Sequence, residues 1–255
     1  MTKPVANDPS ALTRLLNSDE FKFTENFGRK TQSLVFDSRT IKALYEFLVK
    51  YKIDYVDYPI SSGKESVVFK AQLKGRPIAL KIYKMSTLKF QNIRIYIDGD
   101  YRFAKERISR SKFVYVWARK EFSNLQSLTE AGVRCPVPIA FHKNLLAMSF
   151  IGTKQRAAPQ IKDAVFDASV VYREVSEMMR NTYQKAGIVH ADLSEYNILY
   201  YRKRSYFIDV AQGVTVQHPS ADIFLKRDIS NITQFFIKKG VDCSTEDLYR
   251  YIKED

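Results

Sequence analysis

The sequence lacks the features that mark secreted, zinc-stabilised and membrane-spanning proteins. Its two cysteines, Cys135 and Cys243, lie far apart without a C-x-x-C spacing, so we expect neither a disulfide framework nor a zinc site. No apolar run approaches the ~18 residues of a membrane span, and the polar beginning has no apolar signal region. We therefore expect a cytoplasmic protein without a membrane partner. We also expect the ends, 1–9 and 251–255, to fray.

Positive charge is the most unusual feature of the composition. The 255 residues include 41 Lys and Arg against 28 Asp and Glu, a net charge of +13. The stretch 74–120 holds thirteen basic and three acidic residues. Within it, the insert 85–112 mixes basic with aromatic residues: Lys89, Arg94, Arg102, Arg107, Arg110 and Lys112 with Phe90, Tyr96, Tyr101 and Phe103. This mixture suits phosphate neutralisation and base stacking. The alternative is a solvated charged loop in a heat- or acid-adapted organism.

One motif indicates phosphoryl transfer. His190, Asp192 and Asn197 have the spacing H-x-D-x-x-x-x-N, and Asp209 follows in the apolar context Phe-Ile-Asp-Val. Kinase-type chemistry needs one carboxylate to orient the acceptor hydroxyl, and an amide with a second carboxylate to hold Mg²⁺ against ATP. A strand, a turn at 202–205 and a return strand would bring both carboxylates into one cleft. A turn aspartate and a capping asparagine are the alternative. We expect His190 to brace this loop rather than carry protons.

A predicted turn in the first third of the chain has the small residues that a phosphate-binding loop needs. The stretch 59–71 predicts a strand, a turn and a second strand. Ser61, Ser62 and Gly63 lack bulk, so their backbone could approach a phosphate closely, and Lys64 adds positive charge. An ordinary hairpin turn is the alternative.

A lysine in an apolar strand and a glutamate on the next helix form a second candidate pair. Lys81 lies in the apolar run 77–83, where a lysine is costly to bury unless it is paired. In kinases, such a lysine binds the α- and β-phosphates and a helix glutamate, for which Glu121 is the candidate. The alternatives are an edge-strand lysine that reaches water and a surface glutamate.

The stretch 144–152 predicts a strand that runs into a linker between two lobes. In a kinase-like fold this stretch passes the adenine. Met148 would then fill space beside the base, and backbone groups near Ser149 and Ile151 would bind it. A plain core strand is the alternative, and the sequence leaves both open.

Taken together, these residues resemble the RIO family of atypical serine protein kinases, close to its first subfamily. The resemblance extends from about residue 40 to 240. Its most specific part is the block His-Ala-Asp-Leu-Ser-Glu-Tyr-Asn, in which Ala191 stands where ordinary protein kinases have Arg. The family pattern implies an α+β, bilobal protein-kinase-like fold with an antiparallel sheet in the small lobe and a mainly helical, truncated large lobe. We expect an N-terminal helical extension at 1–56, the small lobe at 57–148 and the large lobe at 149–255.

The resemblance also implies roles for the site residues. Asp192 would be the catalytic base, Asn197 and Asp209 would hold the metal, and Asp209 is the family's proposed phosphoacceptor. The implied cofactors are ATP and Mg²⁺, and Mn²⁺ could replace Mg²⁺. The implied activities are ATP hydrolysis and serine-directed autophosphorylation, for which Ser109 and Ser111 are candidates. The implied partner is the maturing small ribosomal subunit with its RNA, and we expect the chain to be a monomer.

Two other function classes share part of the pattern. Neither Phe-Gly nor Ala-Pro-Glu follows Asp209, so the peptide-docking segment of ordinary protein kinases is not expected. A small-molecule phosphotransferase of the aminoglycoside or choline kinase kind shares the H-x-D-x-x-x-x-N spacing and this absence. Such enzymes bind cationic substrates in acidic clefts, however, and a net charge of +13 argues against one. A binding factor that only senses ATP is the third class.

Overall fold

The computed structural model describes residues 37–85, 93–103 and 112–254. Most of the expected N-terminal extension and two parts of the basic insert, 86–92 and 104–111 with Ser109 and Ser111, lie outside these ranges. The described residues form two compact units. The first unit contains 37–85, 114–119 and 139–150, and the second contains 93–103, 112–113, 120–138 and 151–254.

The first unit is a five-stranded sheet covered on one face by a helix. Its strands follow the order β1-β2-β3-β5-β4, and the pairs β1–β2, β2–β3 and β3–β5 are antiparallel. The strands are β1 Ile53–Ser62, β2 Ser66–Leu73, β3 Arg76–Tyr83, β4 Pro138–His142 and β5 Leu145–Ser149. This arrangement confirms the antiparallel sheet that the sequence predicts.

Helix α1, Ser38–Tyr51, supplies the apolar face that covers this sheet. It begins at Asp37, whose carboxylate accepts a hydrogen bond of 2.8 Å from the N–H of Thr40, as an N-cap residue does. Its buried residues Leu44 and Phe47 pack with every second residue of the strands, as the alternation of strand side chains requires. The strand members of this core are Val56, Val67, Phe69, Ala71, Ile78, Leu80, Ile82, Ala140, Leu145 and Ala147.

The second unit is mainly helical and contains two short hairpins. Helix α2, Phe113–Glu130, contributes Phe113 and residues 120–130 to it. The other helices are α3 Ala168–Gln184, α4 Ala221–Lys238 and α5 Thr245–Lys253. Strand β6 Ile188–Val189 pairs with β9 Val214–Thr215, and β7 Ile198–Tyr201 pairs with β8 Arg204–Phe207. No described helix combines the length and the apolar composition that a membrane span requires.

Two local predictions are wrong. The chain does not fray from residue 251, because α5 continues to Lys253 and buries Leu248 and Ile252 against α3 and α4. The turn expected at 202–205 is shorter, because Tyr201 already pairs with Arg204. Its two central residues have φ of 51° and 61°, the left-handed conformation that two-residue hairpin turns use.

Three residues of the basic insert are less accessible than an RNA-binding role would require. Tyr96 and Phe103 are buried, and the Tyr96 ring packs 5.2 Å from that of Phe224. Arg102 is bound to the fully buried carboxylate of Asp100 through two hydrogen bonds of 2.9 and 2.7 Å. These residues are therefore not available to RNA, because the fold of the second unit already uses them.

Candidate active site

The loop that follows β6 is fixed by helix α4. The buried carboxylate of Asp228 accepts hydrogen bonds from the backbone N–H of Ala191 at 2.7 Å and of Leu193 at 2.9 Å. The side chain of Asn231, one turn further on, donates to the carbonyl of Leu193 at 3.1 Å. Ala191 has φ of 63°, which a non-glycine residue adopts only when its surroundings hold it. The residues on both sides of Asp192 are thus tied to one helix.

Asp228 is the anchor that the sequence analysis missed. Its side chain is almost completely buried, and this burial raises its pKa to about 7. The two backbone hydrogen bonds and the charge of Arg227 oppose that rise. The sequence does contain a signal for this role, because Asp228 occurs in the same stripe of buried residues as Leu225, Ile229 and Ile232. A carboxylate at such a position needs buried donors, and here they come from the loop.

The carboxylate of Asp192 is oriented by two amides. Its Oδ2 accepts from Nδ2 of Asn197 and from Nε2 of Gln212, both at 3.2 Å. Asn197 Nδ2 also donates to the carbonyl of Asp192 at 2.7 Å. Burial raises the pKa of Asp192, and the nearby charge of Asp209 acts in the same direction, against Arg227 and the Asn197 hydrogen bond. Gln212 is a further site residue that the motif alone did not indicate.

The hairpin of β7 and β8 brings the metal-binding candidates to one end. Ile198 pairs with Phe207, and the next residue, Ile208, donates its N–H to the carbonyl of Asn197 at 3.0 Å. Asp209 follows directly, exposed and in the left-handed region with φ of 59°. Because Asn197 uses Nδ2 on Asp192, its Oδ1 is an oxygen that can bind a metal.

His190 braces the same loop, as expected. Its Nε2 donates to the carbonyl of Ile208 at 3.0 Å, and its ring lies edge-on to that of Phe207, with centroids 6.0 Å apart. The histidine therefore joins the loop of Asp192 to Ile208, the residue before Asp209.

The oxygen atoms of this site fit a metal that also binds phosphate. Asp209 offers a carboxylate and Asn197 an amide oxygen, both of which suit Mg²⁺. Within 37–85, 93–103 and 112–254, no three His, Cys, Asp or Glu side chains lie close enough to hold an ion by themselves. Mg²⁺ bound by one or two protein oxygens usually completes its shell with water and substrate phosphates. The donor set therefore fits a magnesium nucleotide better than a resident metal.

The sheet of the first unit places three of the predicted nucleotide-binding residues on one face. Ser61 pairs with Val68, Val68 with Lys81, and Lys81 with Leu146, and paired residues share a face. Met148, two residues beyond Leu146, lies on this face too. It is the face opposite the one that α1 covers. Lys81 is 4% exposed there, as expected of a buried lysine.

The turn between β1 and β2 is exposed and small. The N–H of Gly63 donates to the carbonyl of Ser66 at 2.9 Å, and Nζ of Lys84 donates to the Gly63 carbonyl at 2.7 Å. Lys64 is exposed beside it, whereas Ser62 pairs with Val67 and so faces away from Lys81. A Cβ at Gly63 would meet only the Ser66 carbonyl, at 3.8 Å, so a ligand could approach this backbone closely.

The predicted adenine-binding residues Met148, Ser149 and Ile151 lie at and just after the end of β5. Ser149 is the last residue of β5, and Ile151 is the second residue of the connection that follows. The carbonyl of Ile151 accepts from the N–H of Ala158 at 2.9 Å, which leaves its N–H as the group that could donate to a base. Glu121, 1% exposed, lies in the second unit and Lys81 in the first, so their pairing stays a prediction.

Comparisons of sequence connect the chain to one family. The RIO domain family matches residues 67–248. A protein of Thermoplasma acidophilum named RIO-type serine/threonine-protein kinase Rio1 is 51% identical over 188 residues, which cover 74% of this chain and 100% of that protein. Its namesake from Haloferax volcanii is 38% identical over 245 residues, covering 95% of this chain and 81% of the relative.

A solved structure confirms the fold. The Rio2 kinase–ADP/Mg²⁺–phosphoaspartate complex from Chaetomium thermophilum aligns with a TM-score of 0.66. The alignment covers 87% of this chain and 68% of that one at 23% sequence identity. The chain therefore has the α+β, bilobal protein-kinase-like fold that its motifs predict.

Proposed function

The chain belongs to the RIO family of serine/threonine-protein kinases, and on this premise we propose that it transfers the γ-phosphate of ATP to serine with the help of Mg²⁺. One observation carries the proposal most directly. Asn197 is hydrogen-bonded to Asp192, whose loop Asp228 fixes, and the hairpin of β7 and β8 brings Ile208, the residue before Asp209, back to Asn197. A carboxylate base beside two oxygen ligands for a metal is the arrangement that phosphoryl transfer needs.

In this proposal, Asp192 accepts the proton of the attacking hydroxyl. Asn197 and Gln212 both donate to Oδ2 of Asp192, so we propose that Oδ1 of Asp192 binds the attacking hydroxyl group. Burial raises the pKa of this carboxylate, which makes it a better proton acceptor. The positive charge of Arg227 opposes that rise in pKa.

Separate groups of residues are assigned to the parts of the nucleotide. A bound Mg²⁺ neutralises the phosphate charge, and Asn197 and Asp209 would be its protein ligands. We assign the α- and β-phosphates to Lys81, oriented by Glu121, and the remaining phosphate contacts to the turn 61–64. Met148 and the backbone at Ser149 and Ile151 would bind the adenine.

The metal assignment predicts a selective loss. Asn197→Ala and Asp209→Ala should each raise the Mg²⁺ concentration for half-maximal phosphorylation by about 10-fold or more, because each removes an oxygen ligand. Titration of the initial rate with Mg²⁺ measures this. Asp163→Ala, which removes a carboxylate that is 61% exposed in the same unit, should leave the requirement unchanged. A normal requirement in both site variants would contradict the metal role.

Asp209 is also the candidate for a covalent intermediate. In this step its carboxylate attacks the γ-phosphorus, the bond to the bridging oxygen breaks, and ADP leaves with the electron pair. Water then cleaves the acyl phosphate. The Chaetomium complex contains a phosphoaspartate, which motivates the proposal. Part of the label that is trapped on the wild-type chain from γ-labelled ATP should therefore be released by hydroxylamine, and Asp209→Ala should carry no hydroxylamine-labile label. Absence of any hydroxylamine-labile label on the wild-type chain would leave Asp209 as a metal ligand only.

We propose that the partner is the small ribosomal subunit during its maturation, bound through its RNA. The net charge of +13 and the thirteen basic residues in 74–120 support this partner, because phosphate neutralisation dominates RNA affinity. Neutralising Arg107, Arg110 and Lys112 together should weaken binding to small-subunit RNA. The slope of log affinity against log salt should fall by about 0.7–0.9 for each RNA phosphate that the variant no longer neutralises. Arg102 is left unchanged, because it binds Asp100.

A control with the same change of charge lies at the exposed turn of the second hairpin. Neutralising Arg202, Lys203 and Arg204 removes three positive charges from a surface that the proposal does not use. This variant should keep the RNA affinity and the salt slope. If both triple variants lose affinity equally, the insert has no special role, and the attraction comes only from net charge.

A further inference from the structure

A buried asparagine on α2 binds the backbone that follows the proposed metal ligand. We call residues 209–213 the metal loop. Nδ2 of Asn124 donates to the carbonyl of Val210 at 2.7 Å and to that of Gly213 at 2.9 Å. Asn124 is completely buried, so an amide there would be costly without these partners.

A buried lysine one turn earlier on α2 binds the same loop. Nζ of Lys120 donates to the carbonyl oxygens of Gly213 and Ala211, the latter at 3.3 Å. Lys120 is also completely buried, and burial lowers its pKa to about 7. Two side chains of one helix therefore hold three of the four carbonyl groups that follow Asp209.

The fit between α2 and the metal loop leaves no room for a side chain. A Cβ on Gly213 would lie 2.9 Å from Nδ2 of Asn124 and 3.1 Å from the carbonyl oxygen of Val210. Gly213 has φ of −52°, so the glycine is required by this close approach and not by its conformation. The helix therefore packs directly against the backbone of the loop.

The described part of the insert completes the cluster. We call residues 93–103 the insert anchor. Nη1 of Arg102 donates to Oδ1 of Asn124 at 2.8 Å, which fixes the orientation of the amide. Asp100, fully buried, binds Arg102 through both carboxylate oxygens and lies 3.8 Å from Nζ of Lys120. One buried carboxylate thus compensates two cations, of which Lys120 is completely buried.

The insert anchor is held at a second place by the start of α4. His218 binds the carbonyl of Asp98 through Nε2 at 2.8 Å. A Cβ on Gly99 would lie 2.8 Å from Cδ of Pro219, so this approach is close as well. Tyr96 packs on Phe224 beside it. The insert anchor is therefore a fixed part of the second unit, packed against α4 and the cluster on α2.

We infer that Lys120 and Asn124, braced by Asp100 and Arg102, are positioning residues that hold Asp209 in its metal-binding conformation. The inference rests on the proposed function, since it assigns a purpose to the metal loop. Asp209 has φ of 59° and ψ of 48°, a conformation that most side chains adopt only under constraint. The hydrogen bonds to the next residues supply that constraint, as partners of metal ligands generally do.

The test removes each donor while it keeps the side-chain volume. Asn124→Leu and Lys120→Met should each weaken metal binding by about 10-fold or more, the usual effect of losing a partner of a metal ligand. Mn²⁺ binding, followed by electron paramagnetic resonance with a non-hydrolysable ATP analogue present, measures this without turnover. Affinity for the same analogue in EDTA should not change. Arg102→Lys, a milder variant, should shift Mn²⁺ affinity in the same direction by less.

A control separates positioning from general destabilisation. Glu174 accepts from Arg134 at 2.6 Å and from the Ser205 hydroxyl at 2.7 Å, in another polar cluster of the second unit. Glu174→Gln should lower the melting temperature and leave Mn²⁺ affinity unchanged. If Asn124→Leu, Lys120→Met and Arg102→Lys change Mn²⁺ affinity no more than Glu174→Gln does, while Asp209→Ala weakens it by about 10-fold or more, the inference is overturned and the proposed function stands. If Asp209→Ala itself keeps full Mn²⁺ affinity, the metal role within the proposed function fails.

Discussion

Replacing Asp192 by Asn should lower phosphate turnover by about 10²–10⁴-fold and leave the affinity for ATP nearly unchanged. The amide keeps the shape of the side chain and still accepts one hydrogen bond, but it cannot take the proton of the attacking hydroxyl. The nucleotide is assigned to other residues, namely Lys81, the turn 61–64 and the strand that ends at Ser149. Initial rates with labelled ATP, together with equilibrium titration of a fluorescent ATP analogue, measure the two quantities separately.

The rate effect has a matched control. Asp163→Asn makes the same chemical change at a carboxylate that is 61% exposed in the same unit, and it should leave the turnover unchanged. A fall in both turnover and ATP affinity in Asp192→Asn would indicate a damaged site rather than a missing base. Unchanged turnover in that variant would exclude Asp192 as the base.

Replacing Asp228 by Asn should destabilise the chain by about 1–3 kcal/mol, the usual cost of a buried group left without its partner. The carboxylate accepts from Ala191 at 2.7 Å and from Leu193 at 2.9 Å with separate oxygens. An amide has a single oxygen, so one of these backbone N–H groups would face an NH₂ group. Because the loop carries Asp192, turnover should fall together with stability.

Urea unfolding of the wild-type and variant chains at the same pH measures this effect. Asp163→Asn serves again as the control, and a surface change of this kind is expected to stay within about 0.5 kcal/mol. If Asp228→Asn unfolds at the same urea concentration as the control, the loop is anchored by something other than this carboxylate.

Most of the elements could be predicted because their patterns are local. The stripe of Leu44 and Leu48 predicts α1, and the apolar run around Lys81 predicts β3. The spacing of the H-x-D-x-x-x-x-N motif fixes how far Asn197 lies from Asp192. The hairpin that follows then requires Asp209 to return to Asn197, because its turn is short. These parts depend on neighbours in the sequence, and the sequence contains that information.

The remainder depends on contacts between distant parts of the chain. Asp228 meets Ala191 across 37 positions, and Asn124 meets Val210 across 86. A polar residue in an apolar stripe indicates that a buried partner exists, but not which one. For the same reason the sequence predicts that Arg102 is a surface charge, although Asp100 and Asn124 bind it in the second unit. The last helix, α5, was missed because it has only nine residues and its apolar stripe is correspondingly short.

The most direct test of the central claim is the fate of the γ-phosphate in the purified wild-type chain. With Mg²⁺ present, label from γ-labelled ATP should appear on the protein, and acid hydrolysis should yield phosphoserine. No label should transfer from α-labelled ATP or in EDTA, and none should reach aminoglycoside or choline acceptors. Transfer to such a small molecule instead of serine would favour the phosphotransferase alternative. Tight binding of ATP without any loss of its γ-phosphate, in Mg²⁺ or in Mn²⁺, would contradict the account and leave a factor that only senses ATP.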